Sequence, residues 1–173
     1  MSQQTQNTMK KISIAKVVLN MGVGKSGEPI EIGKKALEQI TGKKPNARNA
    51  KKSQRDWGVR KGEPIGIAVT VRGDDATKLL KKLLIAKDNQ IKESAIDDEG
   101  NLSFGIKEHI DIPEIKYDPK IGILGLEVSI ALTRPGFNIK LRSLRKAKVG
   151  KNHRIRKSDA IKFFTEEFGV KIV

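Results

Sequence analysis

Residues 64–84 read PIGIAVTVRGDDATKLLKKLL, and this stretch decides the fold class. Its first half alternates apolar residues with small or polar ones from Ile65 to Val71, which predicts a strand with one buried face. Asp74 and Asp75 follow at the positions of a helix cap and first turn. The next apolar residues have helical spacing, with lysines on the other side: Ala76, Leu79, Leu80, Leu83 and Leu84. A half-buried strand followed by an amphipathic helix predicts an α+β fold in which helices pack on one face of an antiparallel sheet.

The same two patterns recur along the chain. Residues with high β propensity, or apolar residues in alternation, predict further strands at 11–20, 102–106, 126–132 and 170–173. Helical spacing predicts two more helices, one from Pro29 to Gly42 and one capped by Ser158 and ended by Gly169.

The remaining stretches show neither period. Residues 43–61 and 109–119 are predicted to be irregular. Residues 1–11 are rich in Gln, Thr and Ser and end in two lysines, without an apolar signal core behind them. We therefore expect a disordered tail over residues 1–10 and a single domain over residues 11–173.

The positive charge is concentrated in two segments. The chain has 35 Lys and Arg against 20 Asp and Glu, a net charge of +15. Residues 43–61, the first basic segment, hold 8 basic residues and one acid, and residues 134–157, the second basic segment, hold 10 basic residues and no acid. The other 130 residues carry 17 basic and 19 acidic residues and are nearly neutral. Such an uneven charge favours a polyanionic partner over an ordinary solvated surface.

Nucleic acid and an anionic membrane are the two polyanions to compare. A membrane-surface helix needs an apolar stripe beside its cations, whereas the first basic segment contains Pro45, Gly58 and several Asn and Gln residues. No apolar run approaches the roughly 20 residues of a membrane-spanning helix. The sequence therefore favours nucleic-acid phosphates and predicts no membrane partner.

No group of residues has a spacing suited to catalysis or metal binding. The chain has no cysteine, which excludes disulfides and thiol chemistry. His109 is expected to be structural, and His153 to meet phosphate or solvent, because neither has a suitably spaced partner. The acidic cluster Asp97-Asp98-Glu99 is expected to be a solvated turn rather than a cation site. We predict no cofactor, no metal and no enzymatic activity.

Residues 22–27 spell G-x-G-x-x-G after a predicted strand, a pattern that also occurs in dinucleotide-binding enzymes. Those enzymes need an acidic residue about 20 positions later, and no acid occurs between Glu38 and Asp56. A phosphate-binding loop would need a glycine where Leu19 stands. A flexible turn between the strand and the helix is favoured, and a glycine-rich turn with Lys25 leaves an approach to an RNA backbone open. A nucleotide-binding enzyme is the alternative hypothesis.

Trp57, the only tryptophan, lies inside the first basic segment. Two roles are open for it: packing on the edge of the sheet, or stacking on a base or sugar. Aromatic residues make up only 4% of the chain, and no aromatic pair resembles a stacking platform. Binding should therefore depend mainly on phosphate and shape contacts to structured RNA.

Several stretches are distinctive enough to compare with known families. They are Lys16–Gly24 (KVVLNMGVG), Ile40–Pro45 (ITGKKP), Ala50–Ser53 (AKKS), Arg60–Gly66 (RKGEPIG), Val69–Gly73 (VTVRG), Ser103–Asp118 (SFGIKEHIDIPEIKYD), Gly122–Leu126 (GILGL) and Thr133–Phe137 (TRPGF). Together they resemble the large-subunit ribosomal protein family L5, over a span from about Lys11 to the C-terminus. His153–Ile155, Phe163-Phe164 and the short N-terminus resemble its archaeal members.

The resemblance implies a non-catalytic protein with an L5-like antiparallel sheet backed by helices and containing ferredoxin-like elements. It implies a place in the central protuberance of cytoplasmic ribosomes, bound to 5S rRNA and large-subunit rRNA beside a neighbouring 5S-binding ribosomal protein. It also implies contact with peptidyl-site tRNA and a bridge to a small-subunit head protein. No stable homo-oligomer is expected.

The resemblance and the two basic segments together give the candidate site residues. The family match assigns rRNA binding to Asn20, Gly22, Gly24, Thr41, Gly42, Lys43, Lys44, Pro45, Arg48, Lys51, Lys52, Ser53, Thr70 and Arg72. The glycine-rich turn adds Lys25. The second basic segment adds Arg142, Arg145, Lys146, Lys148, Lys151, His153, Arg154 and Arg156. The loop implied to reach tRNA contributes Gln54, Arg55, Trp57, Arg60 and Lys61. Gln54 departs from the family, which usually has an apolar residue after the Lys-Lys-Ser triplet.

Overall fold

The computed structural model describes residues 7–24, 27–115, 117–119 and 121–173. Its strands are β1 (Ser13–Gly22), β2 (Asn46–Asn49), β3 (Pro64–Val71), β4 (Gln90–Ile91), β5 (Leu102–Ile106), β6 (Leu126–Thr133) and β7 (Lys171–Ile172). Its α-helices are α1 (Glu28–Thr41), α2 (Asp74–Ile85), α3 (Asn138–Leu141) and α4 (Lys157–Phe168). Short 3-10 turns lie at Thr8–Lys10, Arg55–Trp57, Glu93–Ala95, His109–Asp111 and Lys151–His153. No helix in these ranges is long and apolar enough to cross a membrane.

Five strands form one antiparallel sheet in the order β2-β3-β1-β6-β5. β1 lies at its centre, where Val17 is opposite Val71 of β3 and Ile130 of β6. The predicted α+β class with an antiparallel sheet is confirmed. The predicted C-terminal strand forms, but it pairs in parallel with β4, outside this sheet.

The apolar core lies on one face of the sheet. Every second residue of the central strands points into it: Val17, Leu19 and Met21 of β1, Ile67, Val69 and Val71 of β3, and Leu126, Val128, Ile130 and Leu132 of β6. Residues of three helices complete the same cluster: Leu37 of α1, Leu80, Leu83 and Leu84 of α2, and Phe164 of α4. Burying one such side chain stabilises the fold by about 1.5–3 kcal/mol, which is why the alternation predicts the buried face. Because α1, α2 and α4 share one cluster, these three helices leave the other face of the sheet uncovered.

Glycines end two helices as predicted. Gly42 follows α1 with a φ of 63°, and its N–H donates to the Glu38 carbonyl at 2.7 Å. Gly169 follows α4 with a φ of 65°. Other residues adopt this left-handed conformation only with strain, so glycine is the natural end of each helix.

The starts of two helices differ from the prediction by one or two residues. Gly73, not an aspartate, is the N-cap of α2, and both aspartates lie in its first turn. Ser158 is likewise inside α4, whose N-cap is Arg156. The Asp159 carboxylate accepts the Arg156 N–H at 3.4 Å, so this helix start does not use the serine hydroxyl as its cap.

The first basic segment is not wholly irregular, because part of it forms the edge strand β2. An edge strand without a buried face is held by main-chain hydrogen bonds, so its sequence shows no apolar alternation to predict it. Within the predicted tail, Thr8–Lys10 form a 3-10 turn capped by Asn7. Residues 1–6 of that tail lie outside the described residues.

Candidate nucleic-acid interface

The uncovered side of the sheet, here called the open face, carries small and polar side chains. Cross-strand neighbours form three rows on it: Asn46–Ala68–Asn20–Glu127–Gly105, Arg48–Gly66–Gly22, and Thr70–Val18–Ser129–Ser103. Most of these residues are exposed or half-buried, although Gly66 and Ala68 are buried between their neighbours. With neighbouring strands about 4.8 Å apart, the five strands give a polar surface roughly 19 Å across.

The open face brings together several of the predicted rRNA-binding residues. Asn20 and Gly22 come from β1, Arg48 from β2 and Thr70 from β3. Arg72 is exposed directly after β3, two residues beyond Thr70. The three strands are distant in sequence, and their residues become neighbours only because β1, β2 and β3 pair.

Glycines on the open face leave room for a bound molecule to approach the backbone closely. A Cβ added at Gly22 or Gly105 would meet nothing within 4 Å, so the space above each is open. Gly66 differs, because a Cβ there would lie 3.2 Å from the Met21 carbonyl oxygen. The row Arg48–Gly66–Gly22 thus places one exposed arginine beside two positions where only backbone lines the surface.

A hydrogen-bonded pair lies at the centre of the open face. Asn20 and Glu127 are direct neighbours on β1 and β6, and the Asn20 amide nitrogen donates to Glu127 Oε2 at 3.1 Å. A carboxylate only accepts, so this bond determines the orientation of the Asn20 amide. Glu127 was not among the residues predicted from the sequence.

The first basic segment folds as a hairpin that extends beyond the sheet. Ala50 N–H donates to the Glu63 carbonyl at 2.8 Å, and further out Gln54 and Val59 exchange main-chain hydrogen bonds of 2.8 and 3.0 Å. Residues 51–58 are all exposed. The hairpin tip, residues 54–61, therefore projects into solvent on a main-chain ladder without a buried side chain of its own.

Trp57 lies at this tip, in the turn Arg55–Trp57, and is 79% exposed. Packing on the sheet edge, one of the two roles considered for it, is therefore wrong. Its indole is available for stacking.

Two predicted rRNA-binding residues at the end of α1 make local contacts. Thr41 Oγ1 donates to the Leu37 carbonyl at 2.7 Å and accepts the Lys43 N–H at 3.2 Å. Lys43 Nζ lies 2.9 Å from Asp75 Oδ2, and the hydrogen bond and charge of Lys43 lower the pKa of that carboxyl. Lys44 beside it is exposed.

A half-buried arginine anchors the second basic segment. Arg134 pairs with Asp159 of α4 at 3.0 Å, and its side chain is only 10% exposed. The same guanidinium donates to the carbonyls of His153 and Arg154 at 3.4 and 3.2 Å. In the sequence Arg134 is one of ten positive charges in the second basic segment, but its buried contacts make it the support of the segment.

His153 contributes to the same support. Its Nε2 lies 2.8 Å from the Pro135 carbonyl oxygen, and its ring meets Phe137 edge-on at 5.7 Å. The remaining predicted cations of the second basic segment are exposed: Arg142, Arg145, Lys146, Lys148, Lys151, Arg154 and Arg156. Leu141 and Leu144 are also exposed, by 78% and 80%, although neither was predicted to contribute.

The other polar groups singled out in the sequence have local roles. His109 is buried, and its Nδ1 accepts the Leu124 N–H at 3.3 Å. Asp97 accepts both the N–H and the side-chain amide of Asn101 at 2.7 Å, which closes the acidic turn. Among the described residues, no group of three or more His, Cys, Asp or Glu is arranged to hold a metal ion.

Four residues of the open face, on β5 and β6, were not predicted from the sequence, and one predicted residue lies outside the described residues. Lys25 belongs to the two residues after Gly24 that the structure does not describe. The open-face residues of β5 and β6 were missed: Ser103, Gly105, Glu127 and Ser129. These residues alternate with buried or half-buried ones along β5 and β6, and alternate residues of a strand lie on the same face of the sheet. The alternation could therefore have predicted that they lie on the open face.

Comparisons with known proteins identify the family of the chain. A family model described as ribosomal protein L5 matches residues 7–60, and the model for the C-terminus of the same family matches residues 64–163. A protein of Nitrosopumilus maritimus named large ribosomal subunit protein uL5 is 64% identical over 172 residues, 99% of each chain. Proteins of the same name from Cenarchaeum symbiosum and Pyrobaculum aerophilum are 59% and 49% identical, covering 95% of this chain and 98% and 92% of their own.

The chain is thus a structural constituent of the large ribosomal subunit, a class without enzymatic activity. It belongs to the ribosomal protein L5 family, in its archaeal form. The predicted family and the predicted absence of an enzymatic role are confirmed. The alternative hypothesis of a nucleotide-binding enzyme is therefore wrong. The ribosome that contains these relatives is cytoplasmic in archaea, as predicted.

Proposed function

We propose that the chain holds 5S rRNA on its open face and first basic segment within the central protuberance. The observation that supports this most directly is the row Arg48–Gly66–Gly22 beside Thr70 and Asn20. Backbone-lined positions admit a ribose-phosphate chain closely, and the guanidinium neutralises it. The exposed cations of the second basic segment bind large-subunit rRNA in the same way.

The hairpin tip serves a different RNA in this proposal, the peptidyl-site tRNA. It projects from the sheet, and it carries the exposed Arg55, Arg60 and Lys61 around Trp57. Stacking of an exposed indole on a base or sugar, with neighbouring guanidinium groups on phosphates, suits contact with a partner that binds and leaves. The tip thereby contacts the tRNA while the sheet stays fixed on 5S rRNA.

The proposal includes protein partners. The family resemblance implies a bridge to a small-subunit head protein and contact with a neighbouring 5S-binding ribosomal protein. The exposed Leu141 and Leu144 give the second basic segment an apolar surface on which a protein could pack. The chain acts as a single copy and needs no cofactor.

Competition binding tests the principal claim. Filter binding of labelled 5S RNA, with unlabelled bulk tRNA as competitor, should show preferential retention by the wild-type chain. The double variant Arg48→Ala and Thr70→Ala should weaken that retention by about tenfold or more, since each lost contact typically costs about 1 kcal/mol or more. Lys162→Ala on α4 is the matched control, because it removes an exposed charge from the helical side. If bulk tRNA displaced the labelled 5S RNA as effectively as unlabelled 5S RNA does, the proposed function would be refuted.

A further inference from the structure

An acidic side chain in the middle of a surface proposed to bind RNA requires an explanation. Of the strand residues that form the three rows of the open face, only Glu127 is acidic. It is exposed, and among the described residues its carboxylate has one hydrogen-bonding partner, the side-chain amide of Asn20. A carboxylate repels a phosphate placed next to it, so the RNA backbone cannot occupy this position favourably.

The Asn20–Glu127 pair has a defined set of free hydrogen-bonding groups. Their mutual bond uses one amide N–H and part of the capacity of Oε2. A second amide N–H donor, the amide Oδ1 acceptor and the carboxylate Oε1 acceptor remain, together with a spare lone pair on Oε2. Side by side on neighbouring strands, the pair thus offers one amide donor next to the two carboxylate acceptors, with Oδ1 as a further acceptor.

This pattern is complementary to the Watson–Crick edge of guanine. That edge presents two adjacent N–H donors, at N1 and the exocyclic N2, followed by the O6 acceptor. A carboxylate accepts from both donors while an amide N–H donates to O6. Single-stranded RNA bases are read in this way, by hydrogen bonds to their exposed edges.

The neighbours of the pair leave space for a base. In the row across the sheet, Ala68 lies on one side of the pair and Gly105 on the other. The space above Gly105 is empty out to 4 Å. No large side chain from either neighbouring position therefore covers the pair.

We propose that Asn20 and Glu127 form a base-reading subsite, which recognises an unpaired guanine through its Watson–Crick edge. This inference rests on the proposed RNA-binding function of the open face and adds a specificity element to it. Arg48 and Thr70 contribute to the affinity for RNA, while Glu127 selects the base and holds Asn20 in orientation.

The substitution Glu127→Gln separates this role from general electrostatics. Removing a negative charge from an RNA-binding surface should by itself strengthen binding to any polyanion. Loss of a base contact should instead weaken 5S RNA binding by about tenfold, the usual effect of one base-specific pair. The expected result is weaker binding of a 5S RNA transcript together with unchanged or stronger binding of heparin. The control Glu166→Gln removes an exposed charge from α4 and should leave 5S RNA binding unchanged.

Kethoxal footprinting supplies the second readout, because this reagent attacks N1 and N2 of unpaired guanines. The wild-type chain should protect at least one unpaired guanine of the 5S RNA. Glu127→Gln should lose that protection and keep the others, and Gly105→Val, which places a side chain over the subsite, should do the same. Unchanged or tighter 5S RNA binding by Glu127→Gln, with the same guanine protections, would overturn the subsite and leave the proposed function standing. Failure of the wild type to bind 5S RNA selectively would refute both the subsite and the proposed function.

Discussion

At the scale of single residues, Gly22 gives a direct test of how closely RNA approaches the open face. The residue is in β1 with open space above it, so a side chain added there should not disturb the fold. The series Gly22→Ala, Gly22→Val and Gly22→Leu should therefore change the free energy of unfolding by only about 0.5–1 kcal/mol. The 5S RNA affinity should fall progressively with side-chain size. Urea denaturation and filter binding measure the two quantities, and an affinity independent of size would show that RNA does not reach this backbone.

Arg134 is a second residue whose role can be isolated. Its guanidinium joins Asp159 of α4 to the main chain at His153 and Arg154 while almost fully removed from solvent. Arg134→Met keeps much of the volume but leaves these acceptors unpaired, so the fold should lose about 1–3 kcal/mol. Arg142→Met, the control on the exposed part of the same segment, should cost about 0.5 kcal/mol or less. Equal unfolding midpoints for the two variants would contradict the anchoring role.

At the scale of elements, sequence patterns predict those parts whose burial is periodic. The alternation from Ile65 to Val71 and the helical spacing after it identified β3 and α2, because each element buries one face. The edge strand β2 was not predicted, because it is held by main-chain hydrogen bonds and buries no face, so its side chains do not alternate between apolar and polar. The same reasoning applies to the site, since Asn20 and Glu127 are 107 positions apart and meet only through strand pairing.

The hairpin tip is an element whose function should separate from that of the sheet. Replacing Arg55, Trp57 and Arg60 together by Ala removes exposed side chains only, so folding should be nearly unchanged. Binding of 5S RNA should stay largely intact, while the dissociation of peptidyl-site tRNA from reconstituted ribosomes should become faster. Replacing Lys43, Lys44 and Arg48 together by Ala should instead weaken 5S RNA binding and leave the rate of tRNA dissociation largely unchanged. If the tip variant lost 5S RNA binding as severely, the two parts of the first basic segment would not have separate functions.

At the scale of the whole molecule, charge and stability come from different parts of the chain. The 130 residues outside the two basic segments carry almost no net charge, and most of the core strands and helices lie among them. The basic segments are mostly exposed and contribute few residues to the core. Self-repulsion among the cations is therefore confined to surfaces that phosphates would neutralise, so the excess charge places little strain on the core.

This separation makes the salt dependence of RNA binding a test of the whole arrangement. Each phosphate neutralised by the protein releases condensed counterions, so log affinity falls linearly with log salt by about 0.7–0.9 per phosphate contact. The wild-type chain should show a slope of several units with 5S RNA. Arg48→Ala should reduce the magnitude of that slope by roughly 0.7–0.9, because one phosphate contact is lost. Asn20→Ala should lower the affinity equally at every salt concentration and leave the slope unchanged, because an amide releases no counterion. A flat salt response of the wild type, or a slope that changes with Asn20 and not with Arg48, would contradict the division between phosphate contacts and base contacts on the open face.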